Sequence, residues 1–343
     1  MHSVNVWTPN KLCFRRKKKK IDALNIELTI DIVKEDYADI EKKKFSQLRR
    51  TADFKGFRKG NVPESMIRRV YGDQVLVEAV NEVISNGLDE YIKKGKLHIL
   101  GEPLSSESQP EITWKDGESF KFKFDLALSP EFEVEVDKTD AVNSYDITIT
   151  EKEKKTMSDN LKKFYEEKKE EKSAEDIDKE VTERLEGQYK QESEWRLTKD
   201  IRDYFVKKAA IELPEEFLKR WLFAANDGKV SKEDIDKDFD AFKDDFRWQL
   251  VRGKLMEKFD QKVTDKDIQE AAEAFVAYQY AMYGIGNVPA EMIKEAANNV
   301  ISDRKQIARI EEQVEDQKVL AKIREIITIK PKKISAEKFR DLK

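Results

Sequence analysis

Two glycines and a proline break an otherwise helical stretch at Gly56-Phe57-Arg58-Lys59-Gly60-Asn61-Val62-Pro63. Glycine accepts backbone angles that other residues resist, and proline fixes its own φ and favours the start or stop of a helix. With helical spacing on both flanks, the segment reads as an exposed loop that holds Phe57, Arg58 and Lys59 out into solvent. An aromatic ring at a loop tip costs solubility unless a partner covers it, and the neighbouring cations suit a phosphate-rich or acidic surface. The same residues also fit a plain helix-to-helix connector with ordinary surface cations.

The residues around this loop predict an α+β domain. Asn25 to Val33 alternates, with Ile26, Leu28, Ile30 and Ile32 on one face of a half-buried strand. Asp36 to Arg50 carries a rougher helical stripe of Tyr37, Ile40, Phe45 and Leu48. After the loop, Val80, Val83, Ile84, Leu88, Tyr91 and Ile92 recur at helical spacing, and Phe120, Phe122, Phe124, Leu126 and Leu128 alternate as a strand. Strand, helices, then strands imply helices packed on an antiparallel sheet.

From about residue 150 the pattern is helical almost throughout. Lys152 to Glu194 is dense in Glu and Lys, with Met157, Leu161, Phe164, Tyr165, Val181 and Leu185 as its thin apolar content. That suits exposed helices with i,i+4 ion pairs. Stronger stripes follow: Leu197, Ile201, Tyr204 and Phe205, then Phe217, Leu218, Trp221 and Leu222 after Pro214, then Ile235, Phe239, Phe242, Phe246 and Leu250. A last long helix is expected from Pro289 to about Ile327, preceded by a turn at Gly284, Gly286 and Pro289.

Composition fits large solvated helical faces: 40% of the 343 residues are charged, and mean hydropathy is -0.76. The length suggests two or three domains. A single cysteine, Cys13, rules out an intramolecular disulfide framework and fits a reducing compartment. No run of 18 apolar residues exists, so no membrane span or membrane partner is expected. Charge is uneven, with 21 Lys and Arg against 14 Asp and Glu in residues 1–100 and 45 against 56 in the rest. A basic front and an acidic back suggest that the front meets an anionic surface.

Most catalytic chemistry finds no residues here. Only His2 and His98 are present, which argues against a His-rich metal site or a Ser-His-Asp triad. Gly56 and Gly60 do not form GxxxxGK, and no GxGxxG occurs. Asp234, Asp236, Asp238 and Asp240 mimic a calcium loop, but Phe239 stands where glycine is needed and Asp245 at the twelfth position. No catalytic residue, metal or cofactor is expected.

The loop GFRKGNVP resembles the ribosome-binding signature of the trigger factor family, bacterial chaperones of the tunnel exit. PESMIRRVYGDQVLVEAVNEVISNGLDEYIKK, LHILGEP and FKFKFDLALSPEF resemble the rest of that family's first domain, and ELPEEFLKRWL at 212–222 and YGIGNVPAEMI at 283–293 resemble its C-terminal domain in Bacteroides-like bacteria. The resemblance covers most of residues 21–343. It implies an α+β ribosome-binding domain (21–135) followed by a mostly α-helical chaperone domain with extended arms (136–343). Residues 1–20, with the polybasic run Phe14 to Lys20 and no apolar h-region behind it, read as a basic extension without ordered structure. They are either a nucleic-acid-binding arm or the product of an upstream start codon. Most family members carry a prolyl isomerase domain related to the FK506-binding proteins. Here Tyr145 to Thr150 leads within fifty residues to the helix around Trp195, so that module is expected to be absent and enzymatic activity with it.

The resemblance further implies an ATP-independent, cytoplasmic chaperone that binds nascent polypeptides at the exit tunnel and delays their misfolding. Gly56, Phe57, Arg58, Lys59, Gly60 and Pro63 would dock on the large ribosomal subunit, against rRNA and a tunnel-rim protein. Tyr278, Tyr280, Met282, Tyr283, Val288 and Met292 are candidate contacts for unfolded clients, because Met and aromatic groups adapt to varied partners. They equally suit the domain's own core. Self-association into a homodimer off the ribosome is a family trait. Two alternatives stay open: a retained peptidyl-prolyl isomerase activity, and a nucleic-acid-binding helical protein using residues 14–20 and 42–59.

Overall fold

The computed structural model describes residues 15–168 and 170–342. In chain order its elements are strand β1 (Arg15–Lys20), strand β2 (Asn25–Ile32), helix α1 (Lys34–Thr51), helix α2 (Glu64–Gly95), strand β3 (Ile99–Ser105), strand β4 (Phe120–Leu128) and strand β5 (Ala141–Thr148). Helices α3 (Glu151–Lys168), α4 (Ala174–Ala209), α5 (Glu215–Ala225), α6 (Lys232–Lys258), α7 (Asp265–Met282), α8 (Ala290–Ser302) and α9 (Arg304–Ile326) follow. Strand β6 (Thr328–Ser335) and the short α10 (Ala336–Arg340) come last. The chain packs as two compact units, one of residues up to 131 with 212–239, the other of 132–211 with 240 onward.

The first unit is built on an antiparallel sheet in the order β1-β2-β4-β3. Register pairs Ile26 with Leu126, Leu28 with Phe124, Ile30 with Phe122 and Ile32 with Phe120, so the apolar halves of both alternations share one face. Helix α2 covers that face with Leu76, Ala79, Val80, Val83 and Ile84. Each fully buried Ile or Leu of this layer contributes about 1.5–3 kcal/mol. Helix α1 is pinned by Tyr37, whose hydroxyl donates to the Glu118 carbonyl at 3.2 Å and accepts from the Gly117 N–H at 3.0 Å.

One expectation is corrected in this unit. Residues 15–20, expected within a structureless extension, form the edge strand β1, with Lys20 opposite Ile26 and Arg15 opposite Asp31. Strand pairing needs only backbone groups, and the free edge of β2 supplies them whatever the side chains are. Asp22 closes the hairpin, accepting from the Leu24 and Asn25 N–H groups at 2.7 Å each. Residues 1–14, with Cys13, lie outside the described residues. Residues 212–239, within the stretch expected to form the C-terminal domain, make their contacts with the sheet. Arg220 of α5 bonds Asp125 at 2.8 Å and the Ser105 carbonyl at 3.0 Å, and Trp221 lies against Gly101.

In the second unit β5 and β6 pair in parallel, from Ala141 opposite Thr328 to Thr148 opposite Ser335. Tyr189 of α4 packs with Tyr145, Ile147 and Ala336. Helices α3 and α4 form a hairpin with its own small core of Leu161, Tyr165, Ile177, Val181 and Leu185. Among the described residues no strand lies between Thr148 and Thr328. The single long helix expected over 289–327 is two helices. Asp303 takes an extended conformation (φ -87°, ψ 119°) and its carboxylate accepts from the N–H groups of Lys305 and Gln306 at 2.8 and 3.1 Å. Asp favours this capping position over a helix interior, which ends α8 and starts α9.

Candidate functional site

The loop between α1 and α2 is two consecutive tight turns. The Phe57 N–H donates to the Phe54 carbonyl at 3.0 Å, and the Asn61 N–H to the Arg58 carbonyl at 2.9 Å. Gly56 (φ +89°) and Gly60 (φ +86°) stand at the third position of their turns, where a type II turn requires positive φ. A Cβ at either position would meet nothing within 4 Å, so the demand is torsional and not steric. Behind the turns, buried Val62 and Ile67 join Phe45 and Val75 in a small core, with Phe54 packed edge-on to Tyr71 at 6.1 Å. Pro63 caps α2, its carbonyl accepting from Met66 and Ile67 at 3.0 and 3.3 Å.

This arrangement aims three side chains outward. Phe57 is 39% exposed, large for a phenylalanine, and Arg58 and Lys59 are exposed beside it. Among the described residues neither cation enters an ion pair, in contrast to Arg68 one turn into α2. Arg68 bonds Glu64 at 2.9 Å and the buried Glu41 at 3.1 Å, and lies 4.2 Å over the Phe45 ring. Arg68 therefore belongs to the scaffold, while Arg58 and Lys59 are free to pair with something else. Met66 and Val70 on the first turns of α2 are also exposed apolar side chains. Sequence reasoning passed over them because they read as part of a helical stripe.

The second candidate surface is the hairpin of α7 and α8. Its inner side is a core of Ile268, Ala272, Val276 and Ala297 with Ile310 and Val314 of α9. Lys318 of α9 reaches Asp267 at 2.7 Å, and together with the Thr264 hydroxyl and N–H it holds that carboxyl well below the usual carboxylate range. Outside that core the hairpin exposes several large apolar side chains. Tyr278, Met282, Tyr283 and Met292 are 64%, 69%, 82% and 52% exposed, joined by Phe275 and Ile285, which sequence reasoning missed. Tyr280 is half-buried and packs on the inner core, and Val288 is half-buried in the connecting turn. The structure thus separates the six candidates, four facing solvent and two turned partly inward. Ala271, Ala274, Phe275 and Tyr278 of α7 and Val314 and Gln317 of α9 also line one open groove.

Elsewhere, His98 is exposed just before β3, its carbonyl accepting from the Ser129 N–H at 2.7 Å. Among the described residues no group of three or more His, Cys, Asp or Glu side chains could hold a metal ion, and no helix is long and apolar enough to cross a membrane.

Two family models match the chain. The one described as bacterial trigger factor protein covers residues 15–161, and the one described as probable trigger factor, C-terminal domain, covers 193–343. The unmatched residues between them, 162–192, run from within α3 to within α4. The trigger factor of Francisella tularensis subsp. holarctica (strain LVS) is 29% identical over 147 residues, 43% of this chain and 32% of that protein. The trigger factor of Psychrobacter arcticus is 29% identical over 168 residues, 49% of this chain and 36% of that protein. The chain thus spans about a third of the length of the curated relatives it matches. A solved structure titled "Promiscuous Substrate Recognition in Folding and Assembly Activities of the Trigger Factor Chaperone" aligns with a TM-score of 0.48 and 12% identity, over 90% of this chain and 98% of that one.

Proposed function

Because this chain belongs to the trigger factor family, we propose that it is an ATP-independent chaperone that docks on the large ribosomal subunit through the loop at residues 56–63 and holds nascent segments on its α7–α8 hairpin. The observation that carries this reading is the pair of glycine turns presenting Phe57, Arg58 and Lys59 to solvent from a rigidly packed base. A preordered loop loses little entropy on docking, so its contacts are expressed in affinity.

Phe57 fills an apolar niche on the ribosome, and Arg58 and Lys59 pair with rRNA phosphates or acidic side chains of a tunnel-rim protein. Each such charge-assisted or anchoring contact contributes about 1–3 kcal/mol. On the hairpin, Tyr278, Met282, Tyr283 and Met292 meet unfolded apolar segments. Flexible thioethers and amphipathic rings accept many shapes without a fixed pocket, which keeps binding weak and lets clients leave to fold. The work is done in the cytoplasm, and off the ribosome two copies of the chain pair. Nothing in this reading calls for a catalytic residue.

Cosedimentation with bacterial 70S ribosomes tests it, comparing the intact chain with Phe57→Ala/Arg58→Ala/Lys59→Ala. The intact chain should pellet and the triple variant remain in the supernatant. Equal pelleting of both would remove the loop from the mechanism.

A further inference from the structure

Every side chain of β1 is a cation, Arg15-Arg16-Lys17-Lys18-Lys19-Lys20, and the strand forms an edge of the first unit's sheet. Pairing with β2 fixes which way each points. Arg16, Lys18 and Lys20 share the face of Ile30, Leu28 and Ile26, which is the face covered by α2; Arg15, Lys17 and Lys19 share the face of Asp31, Thr29 and Glu27. Arg16 bonds Glu90 on α2. Lys17, Lys18, Lys19 and Lys20 are all exposed, and among the described residues none enters an ion pair. The acids beside them, Glu27 next to Lys19 and Asp22 next to Lys20, take their hydrogen bonds from other groups. Glu27 accepts from the Ser108 and Ser106 hydroxyls at 2.8 and 3.3 Å, and Lys121 lies 3.8 Å from Asp31.

We propose that β1 is a second polyanion-binding surface, separate from the loop at 56–63, and that its ligand is the phosphodiester backbone of RNA. On each face of a strand the cations repeat every two residues, about 6.6 Å, a spacing comparable to that of successive phosphates along a nucleic-acid strand. The outer edge of β1 adds a row of backbone N–H groups, which bond phosphate oxygens as side chains do. An anionic membrane is the poorer match, because no apolar side chain stands between the cations to enter an acyl layer. The position of the strand gives the site its use. The loop stands at the start of α2, whereas Arg16 meets that helix at Glu90, 26 residues later, which is roughly 40 Å along the axis. One protein domain thereby carries two cationic contacts far enough apart to fix its orientation on a large structured RNA.

The experiment measures affinity of the full chain for protein-free large-subunit ribosomal RNA across a series of salt concentrations. Partners in the comparison are Lys17→Gln/Lys18→Gln/Lys19→Gln/Lys20→Gln, the matching four-fold Lys→Arg variant, and the loop triple variant. Each phosphate that the protein ceases to neutralise flattens the log–log salt slope by about 0.7–0.9. The Gln variant should flatten it by about 3 and lower affinity at least ~10-fold at low salt, while the Arg variant keeps the wild-type slope. The loop variant should retain β1's share of the slope on this RNA even if it no longer pellets with ribosomes, so the two assignments fail separately. An unchanged slope in the Gln variant overturns the proposal. If that variant instead self-associates, the lysines serve to keep the sheet edge from pairing. If it loses binding only to phosphatidylserine vesicles, the surface belongs to a membrane.

Discussion

A Cβ added to Gly101 would lie 2.8 Å from the indole nitrogen of Trp221, so the ring of α5 rests directly on the backbone of β3. Gly101 also holds φ +67°, a conformation that L side chains rarely adopt. Gly101→Ala should therefore both strain the strand and push Trp221 away, at a cost of about 1–3 kcal/mol. Hydrogen exchange should show α5 losing protection first. In Gly101→Ala/Trp221→Ala the two costs should fall short of additive, because the clash has been removed along with the ring. Strict additivity would mean that the contact is not what holds α5 down.

The paired glycines make a different prediction, since nothing crowds them. Gly56→Ala and Gly60→Ala should leave thermal stability of the buried base almost unchanged and distort only the turns. Placing an L residue at positive φ costs about 1–2 kcal/mol, which corresponds to roughly 5–30-fold weaker ribosome binding per substitution. Asn, which tolerates positive φ better, should recover part of that loss. A large drop in melting temperature would show that the loop is integral to the core.

On the α7–α8 hairpin, burial sorts one group of residues into two behaviours. Tyr278→Ser, Met282→Ser, Tyr283→Ser and Met292→Ser should each change stability by about 0.5 kcal/mol or less, yet together weaken suppression of aggregation of a chemically unfolded client. Tyr280→Ala should do the reverse, costing about 1–3 kcal/mol of unfolding free energy as its packing on the α7–α9 core is removed. If the exposed variants hold clients as well as the wild type, the hairpin is not the client surface.

Tyr189 gives a pH-dependent prediction. Burial, then its 2.6 Å hydrogen bond to Glu153, pushes the phenol up to about 12. The raised value means the folded state prefers the protonated phenol. Its contribution is complete below pH 10, where an unfolded tyrosine titrates, and is lost as pH rises from 10 to about 12. Tyr189→Phe should unfold with a shallower pH dependence than wild type in that window and match its slope below pH 9. At neutral pH the variant should lose about 1.5–3 kcal/mol, the range for a bond to a charged acceptor. Glu153 keeps Thr150 and Arg340 as partners, so the fold should survive.

What the sequence discloses is what is decided locally. The loop at 56–63 was legible because glycine and proline act on their own backbones, and β4 because its five apolar residues alternate without a break. Asp303 escaped notice, since one Asp in a helical run costs little until its carboxylate is seen to take two N–H groups. β1 and β6 were invisible for a related reason. RRKKKK and TIKPKKIS carry weak strand signals, and both are strands because a neighbour's free edge recruits their backbones. The docking of α5 on β3 depends on Gly101 and Trp221 finding each other across more than a hundred residues, which no local pattern records. On the α7–α8 hairpin, exposure separates Tyr278 from Tyr280, and two aromatic residues on one helix give no sequence sign of which faces water.

The parallel pairing of β5 with β6 sets an order of events for the chain's own synthesis. Residue 141 cannot meet its partner until residue 328 has been made, and β3 waits in the same way for α5 to cover it. Closing loops of this length makes assembly slow and leaves strand edges and apolar faces open while translation proceeds. A protein proposed to shelter unfinished chains is, by its own topology, an unfinished chain for most of its own synthesis.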